Sequence, residues 1–323
     1  MKAKLLTFRT LTPLHVGSGT SVSYIDLPIA RERHTDYPVI PGSGIKGVIR
    51  DVAKRKGEGN PCSVEEVFGP EPGKDEHRSS LAAFTDAKIL FYPVRSLRGV
   101  FALITSPYVL RRFAEDMRAA GIIMEEVRVP KPVDDSTVIV AQDSVLLLSK
   151  RGGNEEVVLE EFNFSASKED FKEDFNKILE IFRGFNILTD EDVKRIAIVS
   201  NDVFRDMVKY AVEVRTRIQI DQTTGTAKGK ALFSLEMVPA EAIFYSFVFT
   251  KSLNGGSSCN DENAMKFIEK ILPDDSVLQV GGDETVGLGF VKVKTYSPPS
   301  KTEDASGEDK GPSNGTTAEV KDE

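Results

Sequence analysis

The chain of 323 residues has no tryptophan, only three histidines and only two cysteines. Cys62 and Cys259 stand far apart and lack the paired spacing of a zinc site, so the expectation is a reduced intracellular protein without a disulfide framework. His15, His34 and His77 are too dispersed to predict a metal centre. No apolar run reaches the length of about 18 residues that a membrane helix needs, and the N-terminal MKAKLLTFRT has no signal-peptide apolar core. Export and membrane association are therefore not expected, and a cytoplasmic location is. H-E-x-x-H, G-x-S-x-G and helically spaced carboxylate pairs in a glycine-rich setting are missing, which leaves ordinary hydrolase machinery without support. Positive charge is also short, with a net charge of −8 and a pI near 5.2. Seven acids and three lysines lie from Ser297 onward, so the tail contributes −4 and the body the other −4. A nucleic-acid partner would have to be met by local basic clusters instead of a global field. Such clusters occur at Arg31/Arg33, Lys46/Arg50/Lys54/Arg55/Lys56, Arg95/Arg98, Arg215/Arg217 and Lys228/Lys230.

What the chain does contain is glycine in three distinctive places. Pro38 to Arg50 reads PVIPGSGIKGVIR, in which a Gly42-Ser43-Gly44 turn is followed by a helix start and by Lys46 and Arg50 one turn apart. Free helix N–H groups, close backbone approach and two cations suit an anion. Ile45, Val48, Ile49, Val52 and Ala53 hold an apolar face, while Lys46, Arg50 and Lys54 recur on another. A surface helix with a solvated basic face would account for this stretch equally well on its own. Leu14-His15-Val16-Gly17-Ser18-Gly19 forms a second glycine turn, and Gly281-Gly282-Asp283-Glu284-Thr285-Val286-Gly287-Leu288-Gly289-Phe290 a third, between strand-like Val277–Val280 and Phe290–Val293. The third fits neither a P-loop nor a dinucleotide fingerprint.

With 40% hydrophobic residues the chain can build a sizeable core. Residues 1–296 read as one α+β body, and 297–323, rich in Pro, Gly, Ser and charge, as a disordered acidic tail dispensable for the chemistry. The coarse order is a strand at 3–11, a helix at 45–56, strands near 83–91 and 99–105, and a helix at 107–120 with Ser106 as N-cap, Pro107 at its first position and Gly121 past its end. A later strand would complete the β-α-β-β-α-β frame of ferredoxin-like and RNA-recognition folds. Further helices are expected at 168–183, 202–211 and 261–272, with strands near 143–148, 157–164, 242–250 and 286–294. Two insertions stand out. Residues 53–80 are polar and rich in Gly and Pro, and read as a mobile lobe. In residues 212–237, Val214, Thr216, Ile218 and Ile220 alternate with Arg215, Arg217 and Gln219 ahead of a polar tip and a returning strand, which predicts a β-hairpin with a basic outer face.

The L-H-x-G-S-G turn, the I-P-G-S-x-x-K-G helix and the G-G-x-E-T-x-G-x-G loop, in this order, resemble the repeat-associated RNA-binding (RAMP) superfamily of CRISPR systems. Ser23-Tyr24-Ile25-Asp26, Ser79 to Ala87, Pro93-Val94-Arg95-Ser96 and Thr285 to Gly289 extend the resemblance to the family of the type III-B Cmr effector backbone subunit. It implies a ferredoxin-like core with a hairpin thumb that wedges into a guide–target duplex, a filament of copies on a CRISPR guide RNA, other Cmr subunits as partners, and cleavage of the paired target RNA once per protomer. RNA contacts are implied for His15, Gly17, Ser18, Gly42, Ser43, Gly44, Lys46, Arg50, Arg215, Arg217, Gly281, Gly282, Gly287 and Gly289. The family's target-cleaving aspartate falls on Asp26, where it would hold one divalent cation, Mg²⁺ or Mn²⁺. Where the family often has E-E-Y-L-P, this chain has Leu235-Glu236-Met237-Val238-Pro239, so Glu236 is a secondary catalytic candidate and the other two positions depart from the pattern. A non-catalytic RNA scaffold and a CRISPR-repeat processing endoribonuclease are the alternatives.

Overall fold

The computed structural model describes residues 1–20, 25–56, 61–71, 79–123, 128–132, 134–149, 155–167, 172–218, 220, 223–226, 232–252 and 259–296. Strand β1 (Lys2–Thr10) leads through β2 (Val39–Ile40) into helix α1 (Gly42–Lys56), then α2 (Val64–Phe68), β3 (Ala82–Phe84), β4 (Ala87–Arg95) and β5 (Phe101–Thr105). Next come α3 (Pro107–Ala119), β6 (Thr137–Val140), β7 (Leu148–Ser149), β8 (Glu155–Leu159), β9 (Phe162–Ser167), α4 (Lys172–Gly184), α5 (Asp190–Val193), β10 (Ile196–Ile198) and α6 (Asn201–Tyr210). The hairpin β11 (Glu213–Arg217) and β12 (Phe233–Met237) precedes β13 (Ile243–Thr250), α7 (Asp261–Ile271), β14 (Ser276–Gln279) and β15 (Phe290–Tyr296).

Among the described residues one large sheet runs β14-β15-β1-β13-β4-β5-β10-β6-β9-β8-β7, with β2 added to β4 and β3 to β13, while β11 and β12 pair separately. β13 lies antiparallel between β1 and β4, and β1 lies antiparallel between β13 and β15. These are two split βαβ units, β1-α1-β4 and β13-α7-β15, which make the expected ferredoxin-like core. Its second half is not the one expected: β5 and α3 do not close the frame but open an inserted half that continues to β7. The local order β-α-β-β-α is compatible with either arrangement, and only the non-local register of β1 with β13 and β15 decides. β4 joins the halves by pairing its first part with β13 and its last, Tyr92 to Arg95, with β5.

Burial explains the element chemistry. All of the β13 residues except Ser246 are aromatic or β-branched in IFYSFVFT, and all but one are buried, as for a strand covered on both faces. In α3 the Ser106 hydroxyl accepts from the Val109 N–H, Pro107 sits at the first turn, and Gly121 takes φ +69° beyond the end, as the residue types demand. The expected strand at 157–164 is instead the hairpin of β8 and β9, turning at Glu160 with φ +52°. The short apolar run of β6 is not foreseen from the sequence, and residues 284–286 form a 3-10 turn ahead of β15.

The described part of the 53–80 insertion is packed, which corrects its reading as a mobile lobe. Ser63 and Glu66 form a reciprocal capping box on α2, and Val64, Val67 and Phe68 enter the core, with the Phe68 and Phe84 rings stacked at 6.0 Å. Cys62 and Cys259 are joined in a disulfide, contrary to the expectation of reduced thiols. One precedes α2 and the other precedes α7, and the packing of α1 against α7 brings their Cα atoms to 4.9 Å, a proximity with no trace in their spacing. The tail 297–323 lies outside the described residues. No described helix is long and apolar enough to cross a membrane.

Candidate functional site

The second and third glycine segments pack on each other. The His15 carbonyl accepts from the Gly282 N–H at 2.9 Å, and the Pro13 carbonyl from the Gly289 N–H at 2.9 Å. Gly281, at φ +83°, has no room for a side chain: a Cβ there would sit 2.3 Å from the His15 carbonyl oxygen. Gly289, at φ +77°, would place one 2.0 Å from the Val280 carbonyl oxygen. These two glycines are demanded by chain crossing. Gly287, also at positive φ, faces open space, and Gly282 has only an ordinary 3.7 Å neighbour, so these remain free for a close backbone approach from outside. His15 is 8% exposed, with Nδ1 at 2.7 Å from the Glu236 carbonyl oxygen, and its ring fills the space beside Gly17. It supports the turn from within. Ser18 stays exposed and donates its N–H to the Pro28 carbonyl at 3.1 Å.

Asp26 lies at the edge of the hairpin. The 26–29 segment runs parallel to β12: Leu27 N–H donates to the Ser234 carbonyl at 3.1 Å, and Glu236 N–H to the Leu27 carbonyl at 3.0 Å. Asp26 itself is exposed, and its Oδ2 accepts from both the N–H and the hydroxyl of Ser234 at 2.8 Å each. The Ser234 N–H first, and its hydroxyl second, hold the Asp26 carboxyl below its ordinary range, so it is ionised at neutral pH. Among the described residues Oδ1 carries no hydrogen bond. Ser23 and Tyr24 lie outside the described residues.

Glu236, expected as a second catalytic carboxylate, is placed otherwise. It is 5% exposed, with one oxygen accepting from the Ile29 N–H at 2.9 Å and the other from Arg31 Nη2 at 2.6 Å. Both oxygens are spent on holding the 29–31 chain, so its geometry is that of a support for the segment that carries Asp26. Leu235 and Met237, the two departures from the expected pattern, form a small buried cluster with Leu288 and Leu27. Arg217 Nη1 donates to Asp283 Oδ1 at 2.7 Å, which ties the hairpin to the glycine loop. Arg215 is exposed and folds back on Glu213. The hairpin also exposes Val214, Ile218, Ile220 and Leu232, so its outer surface is apolar as well as basic. Lys228 and Lys230 fall outside the described residues.

The Gly42 to Arg50 stretch stands apart from this cluster. Gly42-Ser43-Gly44 is the first turn of α1 and not a loop before it. Asp86 Oδ1 already caps the Gly42 N–H at 2.7 Å, and a Cβ at Gly42 would meet the Phe84 carbonyl oxygen at 2.5 Å, whereas Ser43 and Gly44 are exposed. The basic face is not a free rail. Lys46 Nζ donates to Ser80 Oγ at 3.0 Å, Arg50 Nη1 to the Pro70 carbonyl at 3.3 Å, and Lys54 to Glu71. Half-burial, and then the neighbouring Arg50 charge, lower the Lys46 pKa. Arg50 Nε and Nη2 are buried with no hydrogen-bond partner among the described residues. Other expected clusters are paired too, Arg31 with Glu236 and Arg95 with Glu160 and Glu161.

This arrangement, a ferredoxin-like core with a hairpin and three glycine segments, matches one family model, that of the RAMP superfamily, over residues 7–292. The chain belongs to the RAMP superfamily. Among curated proteins, the "CRISPR system Cmr endoribonuclease Cmr4" of Pyrococcus furiosus is 39% identical over 297 residues, 91% of this chain and 95% of that protein. At that identity and coverage the chain falls in the Cmr4 group of the superfamily. The crystal structure of oligomeric Cmr4 from Pyrococcus furiosus aligns with a TM-score of 0.69 and 34% identity, over 92% of this chain and 99% of that one. A type III-B Cmr-beta structure bound to cognate target RNA shares the fold, with a TM-score of 0.71 and 21% identity over 91% and 97% of the two chains.

Within this RAMP frame, sequence reasoning missed Ser234, Arg31 as the partner of Glu236, and Asp283 as the partner of Arg217. Ser234 and Glu236 occupy alternate positions of β12 and so present their side chains to the same neighbour, a period-2 signal that would have found the pair had the 26–29 segment been recognised as a third strand.

Proposed function

We propose that this chain is an RNA-binding subunit of a type III-B Cmr effector, that it assembles with copies of itself and other Cmr subunits along a CRISPR guide RNA, and that it cleaves the paired target RNA once per protomer. The observation that carries the reading is the near full-length 39% identity to a protein named as a Cmr endoribonuclease. Asp26, ionised, exposed and held at the edge of the hairpin by Ser234, is the residue to which we assign cleavage. RNA brings its own nucleophile: the target 2′-OH attacks the adjacent phosphorus in line, the 5′-oxygen of the next nucleotide leaves, and a cyclic phosphate remains. The protein then has to supply geometry and charge compensation. No cluster of three acidic, histidine or cysteine side chains is found among the described residues. A single carboxylate with one open oxygen fits an ion such as Mg²⁺ or Mn²⁺, whose remaining ligands come from water and phosphate. Asp26 would hold it, and when bound it would offset charge at the scissile phosphate. Lys46, Arg50 with its two unpartnered nitrogens, Ser43, Gly44, Gly282 and Gly287 are assigned to the RNA backbone, and the hairpin's exposed aliphatic side chains to the bases.

The test is Asp26→Asn, which keeps size and removes charge. Assembly on guide RNA and target binding should be unchanged while target cleavage in Mg²⁺ or Mn²⁺ falls by orders of magnitude. Near-normal cleavage would leave an RNA-binding scaffold, and cutting of free precursor RNA without added metal would favour a repeat-processing enzyme.

A further inference from the structure

Asp26 makes three hydrogen bonds that reach Ser234 and none to any other described residue. The Ser234 N–H and hydroxyl donate to Oδ2, both at 2.8 Å, and the Asp26 N–H donates to Ser234 Oγ at 3.0 Å. An exposed aspartate without such a clamp distributes over its side-chain rotamers. Here one oxygen is pinned to β12 and the other has no hydrogen bond among the described residues. Only the Asp26 N–H among the backbone groups of this segment reaches the Ser234 hydroxyl; the Leu27–Ser234 and Glu236–Leu27 main-chain bonds and the Ile29–Glu236 bond hold residues 27–29 separately. The hydroxyl therefore acts on Asp26 itself, its carboxylate and its N–H, while the rest of the segment has its own bonds.

The geometry points to Ser234 as the positioning residue for Asp26: its side chain orients the carboxylate and ties its placement to the hairpin, so that the cut is registered to the element that meets the duplex. This rests on the assignment of cleavage to Asp26.

Complexes assembled on guide RNA from wild-type, Ser234→Ala, Ser234→Thr and Asp26→Asn chains would be compared in single-turnover target cleavage. Ser234→Ala should assemble and bind target as the wild type does and cleave about tenfold more slowly, the loss of one charge-assisted hydrogen bond. Ser234→Thr, which keeps the hydroxyl, should recover the rate. A Ser234→Ala chain that cleaves at the wild-type rate, beside an inactive Asp26→Asn, would overturn the positioning role and leave Asp26 standing. Failed assembly of Ser234→Ala, or equal losses in the Ala and Thr variants, would overturn it in favour of a structural role. An active Asp26→Asn would remove the assignment of Asp26 and this inference with it.

Discussion

Replacing Gly289 by alanine tests whether the C-terminal glycine loop is built for packing or for RNA. Gly289 has φ +77°, which costs an L-residue about 1–2 kcal/mol. Its new Cβ would stand 2.0 Å from the Val280 carbonyl oxygen, and that atom is backbone, so no rotamer change relieves the overlap. Opening the gap strains two main-chain bonds, Val280 N–H to the Gly289 carbonyl at 2.8 Å and Gly289 N–H to the Pro13 carbonyl at 2.9 Å, each worth about 1 kcal/mol net. Together these amount to about 3–4 kcal/mol, which for a domain of this size lowers Tm by roughly 6–16 °C. Gly287→Ala is the control: φ is +81° but the space is open, so only the conformational term of about 1–2 kcal/mol applies. Thermal unfolding of both variants, followed by guide-RNA titration of whichever folds, gives the comparison. We expect a large Tm loss for Gly289→Ala, and a small one for Gly287→Ala accompanied by weaker RNA binding. Equal Tm values for the two variants would refute the division of this loop into glycines for packing and glycines for RNA.

Arg9→Met should cost about 3–5 kcal/mol in chemical denaturation, because Asp192, 4% exposed, would lose the two guanidinium bonds at 2.7 Å that compensate its burial. Burial alone would raise the Asp192 carboxyl, but Arg9 and Thr189 outweigh it and depress it; that stability is present above the unfolded carboxylate pKa and is lost as pH falls through the lower folded value. The acid limb of wild-type stability should reflect this, and it should move to higher pH in Arg9→Met; an unmoved limb would discount the pair. Reduction of Cys62–Cys259, which closes a loop of 197 residues, should lower stability by about 5 kcal/mol in the chain-entropy account, and an unchanged Tm in strong reductant would rule that contribution out. Lys46→Ala with Arg50→Ala should weaken guide binding irrespective of guide sequence and flatten its salt dependence by about one unit of log–log slope for each phosphate no longer neutralised. A slope equal to the wild type's would take this face of α1 off the RNA.

The sequence by itself determined what depends on neighbours within a turn or along a strand. Ser106, Pro107 and Gly121 set the limits of α3, the alternation from Val214 to Ile220 set the first arm of the hairpin, and the order of three glycine segments marked the superfamily. Tertiary structure decided whatever depends on distant partners. It chose β13, α7 and β15 over β5 and α3 to complete the core, since strand pairing joins segments from opposite ends of the chain. Docking α1 against α7 paired two cysteines that had no spacing signal, and it set Lys46, Arg50 and Lys54 against the α2 segment, where a helical wheel shows only a basic face. It placed carboxylates of one chemical kind in different surroundings, because an acid's availability is set by the donors around it: Glu236 is buried and enclosed by Arg31 and the Ile29 N–H, whereas Asp26 is exposed and held by Ser234 through one oxygen.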